Sequence, residues 1–182
     1  KVKRLHCILF ILVVLALTGC PPKPAPPSIP VEPKPTYTEK FISVHLKADS
    51  QLNLYDGSSH ATHVCVYQLS DPNTFNQLSE NEMGIGKLLV CDRVDAGPPL
   101  PGVAFAKKFI VQPGADQTFE LDRAEGARYV GVVAGYFGQM QKGRVTRLYT
   151  IPTSEEREQG VVVIKQKPLK INLFLGPQAL QD

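Results

Sequence analysis

The four residues from Leu17 to Cys20 have the types and spacing for a covalent modification. They read Leu-Thr-Gly-Cys, which matches the lipobox at which bacterial lipoproteins are acylated and cut. The thiol of Cys20 is the nucleophile that accepts the lipid, and the small residues Thr18 and Gly19 let the cleavage enzyme approach. We therefore predict signal cleavage between Gly19 and Cys20 and a covalent lipid on Cys20, with no other cofactor.

The segment in front of this motif has the composition of a secretory signal. Lys1, Lys3 and Arg4 precede an unbroken apolar run from Ile8 to Leu17, which is the order of a charged n-region and an h-region. Ten residues at ~1.5 Å each span only about half of a ~30 Å hydrocarbon core, which disfavours a membrane-spanning helix. Residues 1–19 are predicted to be a cleaved signal peptide. A core helix ending in a buried cysteine would explain neither the basic start nor the motif.

Residues 20–38 are predicted to tether a folded body to the lipid. Eight of the fifteen residues from Pro21 to Pro35 are proline, which disfavours helix and strand pairing and favours extended polyproline conformation. At ~3.1 Å per residue this stretch reaches about 45 Å. We expect one domain over residues 39–176, because the chain is too short for two, and a short tail over 177–182.

Charge gives no reason to expect a nucleic-acid partner. The sequence carries 20 Lys and Arg and 17 Asp and Glu. Three of the basic residues and none of the acidic ones lie in residues 1–19, so residues 20–182 hold 17 of each. A neutral body lacks the electrostatic footprint of proteins that bind nucleic acid or anionic lipid.

The body is predicted to be all-β. Apolar and polar residues alternate from Glu39 to Ala48, as in a half-buried strand, and Arg128 to Phe137 is rich in valine and aromatics, as in a central strand. Seven or eight short strands, with a small helical insertion at about 71–90, favour a two-sheet β-sandwich. The other predicted strands are His63 to Leu69, Val103 to Gln112, Thr118 to Leu121, Arg144 to Ile151, Val161 to Lys165 and Leu169 to Leu175.

Two details of this arrangement are specific. Val161 to Lys165 and Leu169 to Leu175 are expected to pair with each other across the short turn between them. A short helix is expected to start after Asp71-Pro72, and Gly84 and Gly86 are expected to interrupt the helical insertion.

A long loop between the first two strands is the part of the body best suited to binding. From residue 49 to 62 the alternation is lost, and turn-forming residues surround Leu52, Leu54 and Tyr55. A hairpin needs far fewer residues, and long loops in compact domains are often functional.

The body shows no residue pattern of an enzyme or a metal site. No Gly-x-Ser-x-Gly elbow occurs, which is the mark of one large hydrolase class. Residues 84–87 superficially resemble the end of a phosphate-binding loop, but Asn81 replaces the first glycine and Leu88 the Ser or Thr. His60 and His63 have no third ligand at a suitable spacing. We expect no catalytic residue and no metal.

Cys65 and Cys91 remain once the signal peptide and the acylated cysteine are set aside. An even pair in an oxidising compartment suits a disulfide. Two buried thiols in a core are the alternative, and the sequence leaves both open.

Taken together, the sequence resembles the TssJ (SciN) outer-membrane lipoproteins of the type VI secretion system over roughly residues 40–175. The resemblance depends on the order and spacing of several elements, since each is weak alone. They are the lipobox at Cys20, the run Val64 to Leu69, the insertion with Phe75, the turn at Pro113-Gly114 and the block Gly126 to Tyr136.

This resemblance implies a transthyretin-like sandwich anchored in the inner leaflet of the outer membrane and facing the periplasm. It implies binding to the periplasmic C-terminal region of TssM within a TssJ-TssL-TssM complex. In that family the loop between the first two strands binds the partner, and here that position falls on Asn53, Leu54, Tyr55, Asp56, Gly57 and His60. The alternative is a lipoprotein pilot or assembly factor of another envelope machine.

Overall fold

Two four-stranded sheets form the body, in a computed structural model that describes residues 34–91, 100–158 and 161–181. The predicted signal peptide, Cys20 and most of the predicted tether lie outside the described residues. The described strands are β1 Thr38–Ala48, β2 Thr62–Leu69, β3 Val103–Val111, β4 Asp116–Arg123, β5 Tyr129–Ala134, β6 Thr146–Thr150, β7 Thr153–Glu158, β8 Val161–Gln166, β9 Leu169–Leu175 and β10 Leu180–Gln181, and the helices are α1 Asn73–Ser79 and α2 Glu82–Leu88.

The two sheets pack face to face, which confirms the predicted β-sandwich. Sheet 1 has the strand order β10-β9-β1-β4 and sheet 2 the order β3-β2-β5-β6. The alternating residues Ile42, Val44 and Leu46 of β1 are fully buried. Val64 and Val66 of β2 are fully buried as well, on the face of sheet 2 that points away from the helices. The alternation seen in the sequence thus places one face of β1 in the core.

The two helices cover the outer face of sheet 2. The Tyr67 hydroxyl donates a hydrogen bond to the carbonyl of Leu88 at 2.5 Å, and its ring meets Phe75 edge-on with centroids 5.9 Å apart. Cys65 is joined to Cys91 by a disulfide, with the two Cα atoms 6.0 Å apart. Because β2 is buried on both faces, its central residues from Val64 to Tyr67 are all apolar.

Gly84 and Gly86 do not interrupt the helical insertion, so that expectation was wrong. Both lie inside α2, whose first turn is capped by the Asn81 side chain accepting from the Gly84 amide at 2.9 Å. The expectation counted only the helix-propensity cost of glycine, about 1 kcal/mol each. A Cβ added to Gly84 would lie 2.1 Å from the carbonyl oxygen of Leu78. Glycine is needed there because α2 passes so close to the end of α1.

The predicted pairing of the last two strands with each other was also wrong. β8 pairs antiparallel with β7 in a separate two-stranded sheet, whereas β9 lies parallel to β1, with Leu169 opposite Ile42. β7 escaped prediction because Thr153–Glu158 is a run of polar and charged residues without apolar alternation. β10 lies inside the segment predicted as a tail and pairs with β9, so the chain contributes to sheet 1 through Gln181.

The last residues of the predicted tether are held against the body. The Arg123 guanidinium donates two hydrogen bonds to the carbonyl of Thr36, at 2.7 and 3.0 Å. The Tyr37 hydroxyl donates to the Asp122 carboxylate at 2.5 Å. The chain therefore enters the sandwich at the end where β1 begins and β4 ends, and the loop that follows β1 lies at the opposite end.

Acid is expected to weaken this entry contact. The hydrogen bond from Tyr37 lowers the pKa of Asp122, and the hydrogen bond from Lys34 lowers the pKa of Glu125. Because both carboxyl pKa values are lower in the folded than in the unfolded state, their stabilisation is present above the unfolded values of about 4 and is lost as pH falls through the lowered folded values. We expect the free energy of unfolding, measured in urea, to fall more steeply below about pH 4 in the wild type than in Asp122→Asn. Equal slopes would contradict the assignment.

Candidate functional site

The tip of the β1–β2 loop is a tight hairpin turn. Tyr55 and Ser58 exchange backbone hydrogen bonds of 2.9 and 3.0 Å. Between them, Asp56 and Gly57 take φ values of 50° and 72°, and a type I′ turn requires a positive φ at both of these positions. Asp-Gly is a favoured pair for that turn. The sequence led us to predict a long loop here, without the turn that Asp56-Gly57 indicates.

The base of the loop is fixed to the body. Leu52 is fully buried, and its carbonyl accepts from the His60 amide at 3.0 Å. The Leu54 amide donates to the carbonyl of Pro177 at 2.9 Å, in the turn that follows β9. The three apolar residues of the loop thus differ in role. Leu52 is a core residue, Leu54 is half-buried, and Tyr55 is 48% exposed at the tip.

The Tyr55 ring stacks on Phe137, which was not among the predicted site residues. Phe137, in the loop between β5 and β6, has its ring centroid 3.7 Å from that of Tyr55, with the ring planes tilted by 39°. Phe137 is 58% exposed, and the centroid of the His60 ring lies 6.2 Å from that of Tyr55. Exposed aromatic rings grouped in this way are typical of protein-binding surfaces. We call Leu54, Tyr55, His60 and Phe137 the loop-end face.

Asn53 connects the two loops that form this face. Its side-chain Oδ1 accepts a hydrogen bond from the backbone amide of Phe137 at 2.8 Å. Its Nδ2 donates to the carbonyl of Ala61 at 3.4 Å. The backbone of Asn53 has a φ of 49°, a left-handed conformation that asparagine tolerates better than most residues. Asn53 therefore links the Phe137 backbone to the β1–β2 loop.

The C-terminal chain supports the same end of the sandwich. The Tyr136 hydroxyl donates to the carbonyl of Ala179 at 3.0 Å, and the Leu180 amide donates to the carbonyl of Arg144 at 2.8 Å. Burial raises the pKa of Tyr136 well above its usual range, so the phenol remains a donor at any physiological pH. The loop after β5 is thus held from both sides, by Asn53 and by the residues around β10.

The structure describes the predicted loop residues but not the predicted lipid-attachment site. Gly19 and Cys20 lie outside the described residues. The loop residues Asn53, Leu54, Tyr55 and His60 come together at the loop-end face or at its base, and Asp56 and Gly57 form its turn. In residues 34–91, 100–158 and 161–181 no group of three or more His, Cys, Asp or Glu side chains could hold a metal ion. Within the same ranges, the two helices are too short and too polar for a membrane crossing.

Comparison with known proteins gives a family match. The sequence profile of the family described as type VI secretion lipoprotein, VasD, EvfM and TssJ, matches residues 40–174. This range runs from β1 to β9 and contains the β1–β2 loop and Phe137. No curated protein matches the sequence.

Three solved structures share the fold at low sequence identity. The type VI secretion lipoprotein TssJ1 from Pseudomonas aeruginosa has a TM-score of 0.55 at 16% identity, covering 81% of this chain and 94% of that one. Serratia marcescens Lip, a membrane-bound component of the type VI secretion system, has a TM-score of 0.55 at 17% identity, covering 81% and 96%. A structure described as the C-terminal domain of TssM from EAEC has a TM-score of 0.52 at 15% identity, covering 77% and 94%.

Proposed function

The chain belongs to the type VI secretion lipoprotein family of VasD, EvfM and TssJ, and from this premise we propose that it is the outer-membrane lipoprotein of a type VI secretion membrane complex. Its β1–β2 loop binds the periplasmic C-terminal region of TssM, within an assembly that also contains TssL. The role is binding and not catalysis. The family match over residues 40–174 favours this machine over the other envelope machines that the sequence left open.

The anchor in this proposal is the lipid on Cys20, in the inner leaflet of the outer membrane. Pro21 follows the cysteine, in place of the aspartate associated with retention in the inner membrane. The described chain enters the sandwich beside Asp122 and Arg123, at the end remote from the β1–β2 loop. A body tethered at one end and recognised at the other suits a link between two membranes.

The observation that carries the binding assignment is the exposed Tyr55 on a rigid turn. Binding energy in protein interfaces is concentrated in a few aromatic and apolar anchors. A loop that is already ordered loses little conformational entropy when it binds. The paired backbone bonds of Tyr55 and Ser58, and the bond from Leu54 to Pro177, supply that order before any partner arrives.

The double variant Leu54→Ala, Tyr55→Ala is expected to weaken binding of the TssM periplasmic region by about 30-fold or more, because it removes two adjacent anchors worth about 1 kcal/mol or more each. The thermal transition should stay close to that of the wild type, because Tyr55 is 48% exposed and Leu54 is half-buried. Isothermal titration calorimetry with the purified proteins measures the affinity, and circular dichroism follows the transition.

Met83→Ala is the matched control, because Met83 is an exposed apolar residue, at 74%, and lies on α2 and not in the β1–β2 loop. It should bind TssM as the wild type does. Unchanged affinity in the double variant would reject the loop assignment. An equal loss of affinity in Met83→Ala would indicate that TssM contacts the helices.

A further inference from the structure

We propose that the partner site is composite, with Phe137 of the β5–β6 loop as its second anchor and Asn53 as the residue that positions it. The proposal rests on the proposed function and deepens it, since it keeps the same partner and adds a second loop. It also assigns the chemistry of the partner segment, which presents uncharged apolar side chains to the two rings.

Geometry makes the two rings a single surface. With centroids 3.7 Å apart, the exposed edges of the two rings adjoin, so a side chain that lies across those edges touches both Tyr55 and Phe137. Phe137 is the more exposed of the two, at 58% against 48%. A large share of the aromatic surface exposed at this end therefore belongs to a loop that is distant in sequence from the β1–β2 loop.

The arrangement is set before binding. The Asn53 side chain holds the Phe137 amide at 2.8 Å, and the turn at Asp56 and Gly57 fixes Tyr55 from the other side. Tyr136, the residue before Phe137, is tied to Ala179 at 3.0 Å. A pre-organised aromatic pair offers a partner contact area without a large ordering cost.

Charge points to an apolar partner segment. Residues 49–61 and 135–141 contain two acidic residues, Asp49 and Asp56, and no Lys or Arg. The Asp49 carboxylate accepts from the Gln51 amide at 2.7 Å, and the next basic residue along the β5–β6 loop, Lys142, is ion-paired with Glu80. Apart from Asp56, which is exposed in the turn, the face is thus built from aromatic and uncharged residues.

The test compares single variants in the full lipoprotein, purified in detergent, against the TssM periplasmic region. Phe137→Ala is expected to weaken binding about 10-fold or more, as expected for an interface anchor. Phe137→Gln, which keeps side-chain length without the ring, should show the same loss. Met83→Ala again serves as the exposed apolar control.

Asn53 is tested by two variants that separate its backbone from its side chain. Asn53→Gly keeps the positive φ without strain and removes the bond to Phe137, so it should weaken binding about fivefold, between wild type and Phe137→Ala. Asn53→Asp keeps an acceptor for the Phe137 amide and loses only the long donation to Ala61, at 3.4 Å, so its binding should stay within about twofold of wild type. Equal binding by the wild type and Asn53→Gly would reject the positioning role.

The outcomes separate this proposal from the proposed function. If Tyr55→Ala weakens binding and Phe137→Ala does not, the composite site is rejected and the loop assignment stands. If neither variant weakens binding, the loop assignment fails together with the composite site, whereas a wild-type protein that does not bind the TssM region would reject the proposed function. The apolar assignment predicts less than about a twofold change in affinity between about 0.05 and 0.5 M NaCl, and a steep loss with salt would show a cationic partner segment instead.

Discussion

Replacing Cys20 by serine is expected to abolish lipid incorporation and to empty the outer-membrane fraction of the protein. A serine hydroxyl is a far weaker nucleophile than a thiolate, so the acyl-bearing group has no acceptor. Each buried methylene of an acyl chain contributes about 0.8 kcal/mol, and stable anchoring needs more than one chain. Loss of the acceptor therefore removes the whole anchor. Labelled palmitate and sucrose-gradient fractionation measure the two effects.

Cys7→Ser is the matched control for that variant. Cys7 lies within residues 1–19, which the signal prediction assigns to the removed peptide, so this change should leave labelling and fractionation as in the wild type. Palmitate on the Cys20→Ser protein would disprove the lipobox assignment. An effect of Cys7→Ser equal to that of Cys20→Ser would show that the signal segment and not the cysteine determines the location.

The central strands of the sandwich could be predicted because burial on both faces leaves a local signal. β2 contacts the core through Val64 and Val66 and the helices through Cys65 and Tyr67, so these four successive residues are all apolar. β5 likewise has a run of buried residues from Val130 to Ala134. A half-buried strand such as β1 gives the period-two pattern instead.

Strand pairing could not be predicted in the same way, because it depends on contacts between distant residues. Leu169–Leu175 has the apolar alternation of any half-buried strand, and nothing local shows that it lies parallel to β1. The same limit applies to Thr153–Glu158, a polar strand whose partner β8 supplies the valines. Neighbouring segments were paired in the sequence prediction because short connections are the common case.

Of the two stacked aromatic residues of the candidate site, only Tyr55 was predicted, for a related reason. Tyr55 stood out within its own loop, since a large aromatic follows a turn-rich stretch. Phe137 did not, because it ends a run of apolar residues and reads as the last residue of a buried strand. Its backbone amide donates to Asn53, 84 residues away in the chain, and no sequence pattern carries that contact.

Gly84→Ala is expected to lower the free energy of unfolding by about 2–3 kcal/mol, the usual upper range for overpacking. The new Cβ would lie 2.1 Å from the carbonyl oxygen of Leu78 and 2.8 Å from its Cα and carbonyl carbon. These are backbone atoms, so no side-chain rotation relieves the clash and α2 has to move away from α1. That shift would stretch the bond from Tyr67 to Leu88, which ties α2 to sheet 2. Urea unfolding measures the change.

Gly86→Ala, in the same helix, is expected to change the free energy of unfolding in the opposite direction. A Cβ at Gly86 meets no atom within 4 Å, so only the helix propensity changes, and alanine is favoured over glycine by about 1 kcal/mol. We expect the free energy of unfolding of Gly86→Ala to rise by up to that amount, while Gly84→Ala falls despite the same gain in propensity. Because the two substitutions are chemically identical, the difference between them isolates the close contact of α2 with Leu78. Equal stabilisation by both would show that the helices do not approach so closely.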